Sequence, residues 1–412
     1  MSRIKVKNFG PIKEGCIEND GWIDIEKVTV FIGDQGSGKS TIAKLFSTFT
    51  WIEKVLERGD VKIKEITNYS RFRKNCCGYH RIENYFFDEK KRDIAELEYE
   101  GDAFKMKYYK GKLTIDEIDS GKYRLPQIMY VPAERNFIST IQNLKLIKLS
   151  SESLVEFLTE FENSKNELNE IVNLPINNTK IEYDKLNDIL HVIDKSSRVR
   201  LTEASSGFQS VVPLFIVSRF LSKSLNKQTE SMSNDERTRF KKFIEDIMDN
   251  TKFTEEQKRA AFSVIASRFN KSAFINIVEE PEQNLFPSSQ KHILFSLLEF
   301  NNSNENNKLL LTTHSPYIIS YLSAAIQGAF LEQLSGNHPE KKKIFSDLDK
   351  IIPLKSTVDS KDVAIYQFDE RNGTIKRLPN YEGIPSDKNY LNEMLADGNH
   401  IFDALLELEE TI

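Results

Sequence analysis

The chain has 412 residues, 57 basic against 62 acidic side chains, a net charge of −5 and 39% hydrophobic residues, an ordinary globular composition. This excludes collagen, mucin-like stalks and wholesale disorder, while the length suits either two or three domains or one large domain with insertions. Charge shifts from 27 basic against 22 acidic over residues 1–150 to 12 against 21 over residues 273–412, so the chain as a whole is not built around a polyanion.

No stretch approaches eighteen consecutive apolar residues, and the opening MSRIKVKNFG carries charges where a secretory signal would be apolar. A cytoplasmic protein without a membrane partner is therefore expected. Three cysteines, Cys16, Cys76 and Cys77, make an odd count with two adjacent, which argues against a disulfide framework. Cys76, Cys77 and His80 would still need another nearby ligand pair to complete a zinc site, and the sequence offers none.

Ile4 to Val6, Trp22 to Ile25 and Val28 to Ile32 read as three short strands separated by turn residues. The third is apolar throughout, as a buried parallel strand requires. It runs into Gly33, Gly36, Ser37, Gly38, Lys39, Ser40 and Thr41, and then Ile42, Ala43, Leu45 and Phe46 open a helix. In that order, glycines let successive backbone N–H groups turn inward onto phosphate oxygens at a helix start. Lys39 is expected to reach the β- and γ-phosphates of ATP and Ser40 to place its hydroxyl on Mg2+.

After a mixed region of short aromatic-rich strands, Gln127 to Val131 reads as another core strand, leading to Glu134 and Arg135 at the expected ligand crevice. Over residues 151–172, Leu154, Phe157, Leu158, Phe161, Leu168 and Ile171 recur at helical spacing. Their stripe is either core or a projecting partner surface. Ala204 to Ser210 form a small-residue turn opening an apolar helix, with Pro213 expected in its first turn.

Phe274 to Val278 is an apolar strand ending in Glu279, Glu280, Pro281 and Glu282, and carboxylates at such an end can hold magnesium and orient water. Lys308 to Thr313 repeats the pattern and ends in His314, a candidate sensor of the γ-phosphate.

Taken in order, Gly33 to Thr41, Ala204 to Gln209, Val278 to Glu282 and Thr312 to Pro316 resemble the ABC-type ATPase heads of the SMC, RecF and OLD families. The wording around Glu280 and His314 is nearest the OLD-like branch of bacterial anti-phage systems, and the opening resembles ATPase subunits of PARIS-type immunity loci. The resemblance implies an α/β fold: an ABC-type P-loop NTPase head with a mixed central sheet, an antiparallel β-lobe and helical insertions. It implies a slow ATPase in which two copies stack head to tail, as a dimer or within a higher homo-oligomer. ATP is then sandwiched between the phosphate loop of one copy and the signature residues Ser205 and Gly207 of the other. By the same resemblance Glu280 polarises the attacking water, His314 is the switch histidine and Glu279 is the magnesium-side acid.

Several positions depart from that pattern. Glu279 stands where aspartate is usual, Ala204 replaces a leucine, and Phe208 occupies a commonly polar position. No glutamine ends the 127–131 strand, leaving Glu134 or Gln142 as substitutes for the Q-loop residue, or no substitute at all.

The expected organisation is an N-terminal ATPase lobe over residues 1–135, a helical insertion over 136–200, the signature motif and helix over 201–225, a second helical insertion over 226–271 and a C-terminal lobe over 272–412. In the second insertion, Phe240, Phe243, Ile244 and Ile247 share a helix face. The last segment is expected to hold a hairpin from Asp362 to Phe368 and Gly373 to Leu378, then a helix from Phe402 to Glu409.

Asp347 and Asp349 have the spacing of a TOPRIM metal motif but no preceding apolar strand, and are read as a solvated turn. The resemblance implies a separate effector protein, a toxin or a nuclease such as one of TOPRIM type, and a phage-derived trigger as partners. The alternative is a DNA-repair or DNA-end-binding ATPase, suggested by Arg71, Arg73, Lys74, Tyr79, Arg81, Tyr85, Phe87 and Lys90 to Arg92, where basic and aromatic residues interleave as nucleic-acid contacts would.

Overall fold

The computed structural model describes residues 2–68, 70–118, 123–140, 151–225, 242 and 271–410. The chain runs β1 (Ser2–Lys7), β2 (Gly15–Cys16), β3 (Trp22–Ile25), β4 (Val28–Gly33), α1 (Lys39–Glu57), α2 (Ile63–Ile66), β5 (Glu96–Glu100), β6 (Phe104–Tyr109), β7 (Lys112–Glu117) and β8 (Pro126–Val131). Next come α3 (Asn136–Thr140), α4 (Glu152–Asn166), β9 (Val172–Asn173), β10 (Lys180–Asp184), β11 (Ile189–Ile193), β12 (Arg198–Arg200) and α5 (Ser206–Ser224). The described remainder is β13 (Ala273–Glu279), α6 (Pro287–Asn302), β14 (Lys308–Thr313), α7 (Pro316–Leu334), α8 (Lys341–Ile351), β15 (Val363–Asp369), β16 (Thr374–Arg377), β17 (Asn380–Tyr381), β18 (Ile384–Pro385) and α9 (Tyr390–Glu409).

A seven-stranded central sheet has the order β2-β16-β15-β4-β14-β13-β8. Strands β15, β4, β14, β13 and β8 are parallel, while β16 runs antiparallel to β15. The parallel strands are apolar because both faces are covered. Val28, Val30 and Ile32 of β4 join the core formed with α4, α5, α6 and α7, while Phe31 joins the core under α1 and the antiparallel lobe. That lobe is a five-stranded sheet, β3-β1-β5-β6-β7. The fold is thus α/β, with the mixed sheet, phosphate loop and antiparallel lobe of an ABC-type head.

Several sequence expectations are corrected. Residues 136–200 are not wholly helical: α4 stops at Asn166 and an antiparallel sheet, β12-β11-β10-β9, follows. Leu168 is buried beyond the helix end and Ile171 is 53% exposed, so the apparent helical stripe runs through a turn into extended chain. Leu154, Phe157 and Phe161 face the core, so the stripe is not a projecting arm. Pro213 lies two turns inside α5 rather than in its first turn. Asp347 and Asp349 sit on helix α8, around buried Leu348, rather than in a turn. The expected helix from Phe402 to Glu409 is the second half of α9. Phe240, Phe243, Ile244, Ile247 and Gln142 lie outside the described residues.

The basic and aromatic stretch is divided: Lys74, Arg81, Tyr85 and Lys90 to Arg92 are exposed, and its other basic and aromatic residues are half-buried or buried. Phe72 and Phe86 are fully buried, Arg73 lies over the Phe87 ring at 4.9 Å, and the Tyr79 hydroxyl donates to Glu156. Cys76, Cys77 and His80 are buried, and no metal-holding cluster of His, Cys, Asp or Glu occurs among the described residues. No described helix is long and apolar enough to cross a membrane.

Candidate active site

Parallel register brings the chemistry to one sheet edge. Thr313 is level with Ile32, just before Gly33, while Glu279 is level with Thr312 and Val278 with Val131. The phosphate loop, the carboxylate pair, the His314 turn and the 132–135 turn therefore emerge side by side, where an open α/β sheet binds its ligands.

The loop connects β4 to α1 with positive φ at Gly33 (144°), Gly36 (77°) and Gly38 (103°). At Gly38 a Cβ would stand 2.3 Å from Ile12 Cδ1, so both the backbone hand and the packing demand glycine. No side chain caps the start of α1, which leaves its first N–H groups to other acceptors. Lys39 is 4% exposed and its Nζ donates to the Gly33 and Asp34 carbonyls at 2.8 and 2.7 Å. Burial pulls its ammonium down to about 8 against the attraction of Glu280, Asp34, Glu282 and Glu279. Ser40 is half-buried and Thr41 buried at the start of the same helix.

Glu279 is 4% exposed and its Oε2 accepts the Ala133 N–H at 3.1 Å. Glu280 has a left-handed φ of 44°, a conformation that costs a non-glycine residue about 1 kcal/mol or more. Its N–H donates to the Thr312 carbonyl at 2.9 Å, and its Oε1 lies 3.5 Å from His314 Nε2. The His314 hydrogen bond, aided by the charges of Arg135 and Lys39, holds the Glu280 carboxyl below the usual range.

Glu282 and Arg135, which the sequence set at the strand ends lining the expected crevice, build the frame of the site. Glu282 Oε1 accepts both the Thr313 hydroxyl at 2.8 Å and the His314 N–H at 2.7 Å, fixing the histidine turn. Burial raises its carboxyl, and its Oε2 has no hydrogen-bond partner among the described residues. Arg135 is fully buried, with its guanidinium directed at backbone carbonyls rather than at solvent or ligand. The sequence signal for both was position: each directly follows a core strand end. Glu134 is exposed.

Ser205 is the N-cap of α5, exposed, and its side chain makes no capping hydrogen bond. Gly207 packs so tightly that a Cβ would lie 2.9 Å from the Asn284 carbonyl. The start of α5 therefore rests directly on the turn that follows Glu280.

A phosphate loop with a buried lysine, joined at one sheet edge to a strand-end carboxylate pair and a histidine, defines a P-loop nucleoside triphosphatase. Residues 1–319 match the AAA ATPase domain family, and the chain belongs to it. Solved structures similar to it include an SMC head bound to the C-terminal winged-helix domain of ScpA (9% identity, 91% of this chain and 95% of that chain covered, TM-score 0.38). Another is the SMC head domain from Thermotoga maritima (8%, 92% and 98%, 0.36). A third is a dimeric ATP-binding cassette in a post-hydrolysis state with ADP and phosphate (11%, 92% and 100%, 0.29). Comparison with curated protein sequences finds no match.

Proposed function

We propose that the protein is an ATP-gated switch: two copies close head to tail around ATP, hydrolysis reopens them, and the change passes to a separate effector. The observation carrying this reading is the exposed, uncapped Ser205 at the tip of a helix seated on the carboxylate turn through Gly207. Such a tip can accept phosphate oxygens from a second copy. Phe286, 76% exposed just beyond that turn, offers apolar area to the same contact.

Gly33, Gly36, Ser37, Gly38 and Thr41 cradle the phosphates and Lys39 neutralises them. Ser40 and Glu279 offer the hard oxygen donors that suit Mg2+, and Glu279 keeps one carboxylate oxygen beyond the one bonded to Ala133. The ion, when bound, neutralises charge on the β- and γ-phosphate oxygens. Glu280, held ionised by His314, accepts a hydrogen bond from the attacking water and orients it toward the γ-phosphate. His314 faces the same phosphate. Since each half-site is incomplete alone, turnover is slow.

The opening KVKNFGPIKEG followed by the GSGKST loop resembles the AriA ATPase subunit of PARIS-type systems. On that basis we place the switch in cytoplasmic anti-phage immunity, restraining a nuclease or toxin until a phage-derived trigger arrives. The alternative DNA-end-binding reading draws on the exposed Lys74, Arg81, Tyr85 and Lys90 to Arg92, while Phe72 and Phe86 are core residues that present no face to a base.

Light scattering of Glu280→Gln with ATP and Mg2+ tests the switch. Doubling of the mass, with hydrolysis reduced by roughly two orders of magnitude or more, is expected. A monomer at saturating ATP, or wild-type turnover, overturns the reading. Co-purification of a neighbouring gene's product tests the effector, while duplex-DNA binding that weakens steeply with salt would favour the alternative.

A further inference from the structure

Arg135 has no carboxylate among its hydrogen-bond partners. Its donors go to four carbonyls on three segments: Nε to Ser210 of α5 at 3.1 Å, Nη1 to Pro132 at 3.3 Å and Glu279 at 2.6 Å, and Nη2 to Glu280 at 2.6 Å. A fully buried guanidinium is costly, and burial lowers its pKa to about 10 even with Glu282, Glu280 and Glu279 nearby. Four carbonyl bonds satisfy the group but hold its fork in one orientation.

The α5 side of this contact lies one residue beyond the carbonyl that a proline leaves free. Pro213 has no N–H to give the Gln209 carbonyl, its partner four residues earlier, and that carbonyl instead accepts the Ser139 hydroxyl at 2.8 Å. The next carbonyl, Ser210, takes Arg135, while the Ser210 hydroxyl donates to Gln283 Oε1 at 3.1 Å. The second turn of the helix that begins at Ser205 is thereby tied to both sides of the carboxylate turn.

We propose that Arg135 is a positioning residue that locks the Ser205 helix and the Glu279–Glu280 turn into one rigid body, so that docking of the helix tip on a nucleotide sets the angle of Glu280. The inference rests on the ATPase reading above. Neither Arg135 nor Ser210 hydrogen-bonds to the phosphate loop, so nucleotide affinity and turnover should separate.

The experiment compares Arg135→Lys and Ser210→Ala with wild type in full-length protein, measuring melting temperature, ATP-analogue Kd, KM and kcat. Lysine keeps the charge but, as a point donor, cannot span Ser210 and Glu280 together. A fall in kcat of about 10- to 100-fold, the scale of a 1 Å misplacement, is expected with Kd and KM within about threefold of wild type. Ser210→Ala removes the hydroxyl that ties α5 to Gln283 on the far side of the carboxylate turn. It should shift the melting temperature by no more than a few degrees and still reduce kcat at least about fivefold, a pairing that a merely structural role would not produce.

Should Arg135→Lys fail to fold, Ser210→Ala carries the test alone. A wild-type kcat in folded Arg135→Lys or in Ser210→Ala, or a loss of nucleotide affinity as large as the loss of kcat, overturns the coupling. Wild-type protein without ATPase activity would instead sink the hydrolase reading, and this inference with it.

Discussion

Lys39 should make nucleotide binding a proton-linked event at alkaline pH. In the free protein burial takes its ammonium from 10.5 to about 8, a depression worth roughly 3 kcal/mol at 1.36 kcal/mol per pH unit. Phosphates placed over the loop would restore the charge, so the bound state holds a proton that the free state has shed. With a bound value near 10.5, uptake per nucleotide is about 0.1 proton at pH 7 and about 0.9 at pH 9. Kd should accordingly weaken toward tenfold per pH unit between about 8 and 10. Calorimetry with a non-hydrolysable ATP analogue, in pairs of buffers of different ionisation enthalpy, reads the uptake directly. The analogue's phosphates are fully ionised at pH 9 and take up no proton there. Equal uptake at pH 7 and pH 9 would refute the reasoning, because Lys39 would then be charged before the nucleotide arrives.

Folding stability carries the same signature without nucleotide: the unfolded chain binds the extra proton between about pH 8 and 10.5, so urea stability should rise across that interval, and a flat profile would contradict it. Glu282→Ala should cost about 2–4 kcal/mol, because the Thr313 hydroxyl and the His314 N–H both lose their acceptor. Glu282→Gln keeps an acceptor and should cost much less. It should also remove the loss of stability that wild type shows as pH rises from 4.5 through the raised folded value; identical pH profiles would exclude Glu282 as its source. Gly36→Ala meets open space and should cost about 1–2 kcal/mol for its φ of 77°. Gly33→Ala would also drive a Cβ to 2.5 Å from the Phe368 carbonyl, so its denaturation midpoint should fall further, by at least about another 1 kcal/mol.

Much of the site was legible because its parts are punctuated: an apolar strand, then a run of small or charged residues, three times over at Gly33, Glu279 and His314. Parallel pairing turns that repeated pattern into one edge, so linear order became spatial adjacency without knowledge of any side-chain contact. Arg135 was harder. Its place after β8 pointed to the crevice, but whether a guanidinium faces a ligand or the carbonyls behind it depends on what α5 presents there, here the Ser210 carbonyl. The sheet within residues 172–200 was missed because its strands are short and charge-rich, as in the Lys180–Asp184 strand, and follow an apolar stripe whose spacing mimics one more helical turn. Contacts between distant segments decide such cases, and local periodicity does not contain them.

The position of β4 bears on how the protein is made. Val28 is paired on one side with Leu309 and on the other with Val363. A ribosome will have released the phosphate loop long before either neighbouring strand exists, leaving an apolar strand and a glycine turn without walls. The nascent amino-terminal half should therefore bind no ATP and should present a sticky strand to chaperones. Nucleotide competence arrives only with β15, late in synthesis, at a speed governed by closure of very long loops. A truncation before β15 should then yield an aggregating fragment rather than a weakened ATPase.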